Sequence, residues 1–115
     1  MPQNINAIKR ELAKLARQKD KRDVGIWPED PPRWEPGSVR DPRSKKPFTY
    51  PGAWDFIAEE LEKKETSIKP VPLIAPRGKV GYAFLVSTEY GTIYIKVRLA
   101  RGKIIARSFH YSEKE

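Results

Sequence analysis

The chain carries a single histidine, His110, near the end of a strongly basic stretch. Between Lys69 and Ser112 lie eight basic residues (Lys69, Arg77, Lys79, Lys96, Arg98, Arg101, Lys103 and Arg107) against one acid, Glu89. An imidazole titrates near neutrality, so it can take up or release a proton under ordinary conditions. Cations around it favour an anionic partner, a polyanion above all. The chemistry that fits these groups is RNA cleavage without a metal. There the ribose 2′-hydroxyl attacks the neighbouring phosphorus. The step calls for a proton acceptor, a proton donor to the leaving 5′-oxygen, and cations beside the phosphoryl oxygens. His110 supplies the proton-transfer group, and Tyr94 positions the substrate or moves a second proton. Lys69, Lys96, Arg98 and Arg107 bind or stabilise phosphate. Arg77, Lys79, Arg101 and Ser108 complete the candidate RNA contacts.

The elements that must position these groups follow from charge and periodicity. The 115 residues fit one domain with a net charge of +8. Residues 1–23 carry net +4, residues 52–68 net −3 and residues 69–115 net +6, so the positive charge is segregated rather than spread. No cysteine is present, which excludes disulfides, thiolate metal sites and cysteine nucleophiles. One histidine leaves no zinc constellation, and no cofactor is expected. No apolar run approaches the ~20 residues of a membrane span. The N-terminus lacks a signal-peptide core, so a cytoplasmic protein is expected.

Asn4 to Lys19 reads as a basic helix capped by Asn4, with Ile5, Ile8, Leu12, Leu15 and Ala16 on one stripe. Residues 24–48 form a wrapping segment rich in proline and tryptophan. Prolines at 28, 31, 32, 36, 42 and 47 forbid a helix or a central strand there. Trp27 and Trp34 argue that it covers the core rather than hanging free. Thr49 to Lys64 is the clearest helix. Pro51 falls in its first turn, and Trp54, Ile57, Ala58 and Leu61 make its buried stripe. Strand candidates follow at 68–74, 79–87, 92–99 and 103–111. The first is broken by Pro70 and Pro72 and is suited only to an edge. The expected fold is α+β, with helices followed by a sheet of three or four antiparallel strands.

The last hairpin decides which groups share a face. A three-residue loop, Ala100-Arg101-Gly102, pairs Leu99 with Lys103, sets Tyr94 opposite Ser108 and sets His110 opposite Thr92. Tyr94, Lys96, Arg98, Ser108 and His110 then share the open face. Ile105 and Phe109 turn to the core beside Ile93, Ile95, Val97 and Leu99, and Arg107 falls on that face too, reaching an edge or a carboxylate. A two-residue loop reverses the second strand and sends His110 inward. The first register is expected because it buries Phe109.

The run Thr92-Ile93-Tyr94-Ile95-Lys96-Val97-Arg98-Leu99, followed by Ile104-Ile105-Ala106-Arg107-Ser108-Phe109-His110, resembles the C-terminal hairpin of the motility quorum-sensing regulator toxins. These are mRNA interferases of the RelE-like ribonuclease superfamily. The resemblance spans about residues 52–112 and includes the helix from Ala53 to Lys64 and Ser67-Ile68-Lys69. It implies a RelE-like architecture, cleavage of messenger RNA, and a cognate antitoxin partner. By position it places Tyr94 on a family active-site tyrosine and Lys69 near an active-site lysine. His110 stands where the family has a catalytic lysine, and no residue matches the family's active-site glutamine. Two other classes fit the composition. One is a non-catalytic RNA- or DNA-binding module using the same basic face, and the other is an adaptor whose basic helix and proline-rich arm bind protein.

Overall fold

A computed structural model describes residues 4–25, 32–73 and 78–112 and sets two helices against one face of a six-stranded sheet. Helix α1 spans Ile5–Ala16, and Asn4 caps it by accepting from the amides of Asn6 and Ala7. Helix α2 spans Tyr50–Glu62. The Thr49 hydroxyl accepts from the amide of Gly52 at 3.0 Å, and Pro51 sits where no amide is needed. Leu12, Leu15 and Ala16 of α1 and Trp54, Ile57, Ala58 and Leu61 of α2 are buried together, as the stripe spacing predicts, while Ile5 and Ile8 are only partly buried against them. The acids of α2 lie off the stripe and are held by bases. Arg17 reaches Glu62 at 2.8 Å, Arg22 reaches Asp55 at 3.1 Å, and Arg43 reaches Glu59 at 2.8 Å. Arg17 and Arg22 thus turn part of the basic charge of the N-terminal segment against α2.

Strands β3 (Lys69–Pro72), β4 (Val80–Thr88), β5 (Gly91–Ala100) and β6 (Lys103–Tyr111) form an antiparallel meander. Two short strands enlarge the expected sheet. β1 (Arg22–Val24) and β2 (Arg33–Trp34) both pair parallel with the outer edge of β6. Strands of three and two residues carry no readable alternation, which is why residues 1–23 read as helix alone and the proline-rich segment as mere covering. That segment does cover the core where it is described. Trp34 packs against Trp54 at 5.1 Å and Phe109 at 5.5 Å, and Phe48 meets Phe56 at 5.1 Å and Phe109 at 5.0 Å. Each such aromatic pair adds about 0.5–1.5 kcal/mol beyond its buried area. Trp27 lies outside the described residues.

The far edge, β3, is built to stay unpaired. Leu73 donates to the carbonyl of Lys79, which fixes the phase of the ladder. Lys69 and Val71 turn their backbone groups toward β4, and Pro70 and Pro72 occupy the outward positions, where no N–H is offered.

Candidate nucleic-acid interface

The terminal hairpin departs from the expected register. Ala100 pairs with Lys103, so the turn holds two residues, Arg101 (φ 55°) and Gly102 (φ 71°). Positive φ at both centres is the type I′ geometry that matches the twist of the flanking strands. From that turn Leu99 pairs with Ile104 and Val97 with Ala106, so Ile104 and Ala106 enter the core. Ile105, expected in the core, stands half-buried opposite Arg98 instead.

A two-residue turn alone would have sent His110 inward, but β6 contains one extra residue. Val97 pairs with Ala106 while Lys96 pairs with Ser108, so Arg107 has no opposite number on β5. This bulge reverses the alternation. Phe109 becomes fully buried beside Ile95, and His110 comes to lie opposite Tyr94 rather than Thr92. The two rings are 5.5 Å apart and tilted by 40°. Arg107, expected to reach phosphate, is 2% exposed, and its guanidinium donates to the carbonyl of Gly25 beside the end of β1. It belongs to the seam between β6 and its parallel neighbour and not to the open face of the sheet. Ser108 is also buried, between Lys96 on β5 and Arg33 on β2, and leaves the set of surface contacts.

The face turned away from the helices is laid out in rows across the strands. Leu85, Tyr94 and His110 are successive cross-strand partners in one row. Lys69, Ala83 and Lys96 form the next, two residues along the strands, or roughly 7 Å away. Ala83 keeps the space between the two lysines low. His110 is not an open group, at 9% exposed. Its Nδ1 lies 2.8 Å from the carbonyl of Tyr111. A carbonyl only accepts, so Nδ1 carries the hydrogen, and in the neutral ring Nε2 keeps the lone pair. Burial raises the Tyr94 phenol above its ordinary value and keeps it protonated at neutral pH.

Lys79, Arg98 and Arg101 line a separate groove of about 610 Å³ at the hairpin tip, floored in part by Ile8 and Leu99. Arg77 lies outside the described residues. The contributions that sequence reasoning missed are Leu85 and Ala83. Leu85 looks like an ordinary core residue until the register turns it outward. Among the described residues no three His, Asp or Glu side chains converge on one point, and no helix is long and apolar enough to cross a membrane. No protein-family model, curated protein or solved structure matches this chain.

Proposed function

We propose that the chain is a metal-independent endoribonuclease of the RelE-like toxin type. On this reading it acts on messenger RNA in the cytoplasm and is restrained by a cognate antitoxin. One observation carries the reading: a phenol and an imidazole meet as cross-strand neighbours, with two lysines one row away on the same face. In the reaction the 2′-hydroxyl gives its proton to Nε2 of His110 as its oxygen bonds to phosphorus. The bond from phosphorus to the 5′-oxygen breaks, and that oxygen takes a proton from the Tyr94 phenol. Lys96 and Lys69 stabilise the charge on the non-bridging oxygens. The products are a 2′,3′-cyclic phosphate and a free 5′-hydroxyl. The resemblance in the hairpin supports the toxin assignment, and the α+β architecture is compatible with it.

The burial of His110 favours a second reading, a binding module that uses the same lysines without chemistry. Incubating wild type, His110→Ala and Tyr94→Phe with RNA in EDTA separates the two. The ribonuclease reading expects cyclic-phosphate ends from wild type and a loss of about 10²-fold or more in either variant. Wild type that binds RNA and leaves it intact overturns the ribonuclease in favour of the module.

A further inference from the structure

Beside the Tyr94 ring, on the side away from His110, the surface is apolar. Leu85 is the direct cross-strand partner of Tyr94 and is 59% exposed. Together with Val71 it floors a groove of about 790 Å³ that Tyr94, Lys69 and residues 65–67 close. That volume lies within the range of small-molecule sites. An aliphatic floor against one aromatic ring, with a lysine row alongside, is the layout of a nucleotide: a flat base on the apolar part and a phosphate on the cations. Base pairing would occupy the edges that such a groove must read, so the base has to be unpaired.

The groove also has a polar end. Of the two carboxylates there, Glu60 is buried and held by the Lys63 ammonium at 2.6 Å. Glu65 also lines the groove and is exposed. A carboxylate only accepts hydrogen bonds. It pairs with an exocyclic amino group and repels a carbonyl oxygen at the same position. Cytosine and uracil differ at that position, an amino group in one and a carbonyl in the other.

We infer that this groove seats one unpaired base of the RNA against Tyr94 and Leu85, and that Glu65 selects cytosine over uracil. The inference rests on the RNA-binding reading above and adds a specificity residue to it. The test uses oligo(C) and oligo(U) of equal length, 2′-O-methylated so that the attacking hydroxyl is blocked. Binding to the full chain is followed by fluorescence anisotropy at one salt concentration and neutral pH. Wild type is expected to bind oligo(C) about tenfold more tightly. Glu65→Gln brings the ratio close to one by weakening oligo(C), and Leu85→Ser weakens both oligomers. Equal affinity of wild type for the two overturns the base selection and leaves the RNA-binding reading standing. A preference that survives in Glu65→Gln overturns the role of Glu65. Failure of wild type to bind either oligomer overturns this inference together with the reading beneath it.

Discussion

His110 faces Tyr94 because Arg107 is a surplus residue in β6. Were Arg107 paired with Lys96 instead of bulged out, the two-residue turn at Arg101-Gly102 would put His110 opposite Ile93 on the core face, and Phe109 opposite Tyr94 on the open face. The bulge is pinned from the side. Arg107 donates to the carbonyl of Gly25, whose own amide donates to the carbonyl of Ala106 at 3.1 Å. The catalytic pairing proposed above therefore depends on a buried guanidinium some distance along the strand.

Replacing Arg107 with alanine removes a buried, hydrogen-bonded cation and its packing. The expected cost is about 2–4 kcal/mol of folding stability. It reads as a lower urea midpoint with an unchanged slope. Because Arg107 is buried, the RNA affinity of the folded variant should match wild type at low temperature. A variant of unchanged stability that has lost RNA binding would return Arg107 to the phosphate-binding role expected of it from its charge.

Arg101 occupies the left-handed region, where any residue with a β-carbon other than asparagine or aspartate is disfavoured by about 1–2 kcal/mol. Asparagine is the residue that type I′ turns favour at this position. Arg101→Asn is accordingly expected to stabilise the protein by about 0.5–1 kcal/mol, a rise of several degrees in Tm for a domain of this size. Thermal unfolding followed by circular dichroism checks it. No gain in Tm would show that the arginine is held there by contacts worth as much as the strain.

Both helices were legible because their signals are local and redundant. Asn4 and Thr49 mark the starts, Pro51 fits the first turn of α2, and the apolar stripes run for several turns. The meander from β3 to β6 was legible by alternation and turn residues. β1 and β2 were not, because strands so short exist only by pairing with β6, and nothing in Arg-Asp-Val or Arg-Trp says so. The site was half legible. Two demands conflict in the sequence: Arg101-Gly102 asks for a tight turn, while Phe109 asks for burial. A three-residue loop satisfies the second alone. The molecule satisfies both with a bulge at an arginine, a residue that carries no bulge signature.

The acid limb of stability should run through Asp41. Burial alone would raise its carboxyl, but the hydrogen bonds and charge of Arg43, with the Ser44 amide, together outweigh it. Two contacts at 2.9 Å and the Arg43 amide at 2.8 Å hold the carboxyl below the usual carboxylate range. Glu62, paired with Arg17, is lowered in the same sense. The unfolded chain then binds more protons at acid pH, so this contribution is full above about pH 5 and is lost as pH drops through the lowered folded value. Asp41→Asn is expected to lose about 1–3 kcal/mol at neutral pH and to flatten the acid limb. Urea midpoints measured at neutral and acid pH for both proteins decide it. Parallel acid limbs would remove Asp41 from the account.

The β3 edge offers a test of its own. Pro70 and Pro72 leave its outward side without amide donors, which denies a second chain half of the ladder it would need. The double change Pro70→Val and Pro72→Val restores two outward donors and raises strand propensity. It should give concentration-dependent association on size-exclusion chromatography, with wild type unaffected. A variant that stays monomeric at high concentration would assign the protection to the short length of the strand.

The lysine row makes the most direct claim about RNA. Lys69 and Lys96 flank Ala83 at two strand spacings from each other, about 10 Å, with a low floor between them. A phosphate lying over Ala83 can therefore be approached from both sides. Each cation that neutralises a phosphate of a single strand contributes about 0.7 to the slope of log affinity against log salt, through released counterions. Lys69→Ala and Lys96→Ala should each lower that slope by about this amount, and the double variant by about twice it. Lys14→Ala is the control, since Lys14 is exposed on α1, away from the sheet's open face. Its slope should equal that of wild type. If all three single variants reduce the slope alike, RNA binding is a property of total charge, and the Lys69–Ala83–Lys96 row has no special part in it.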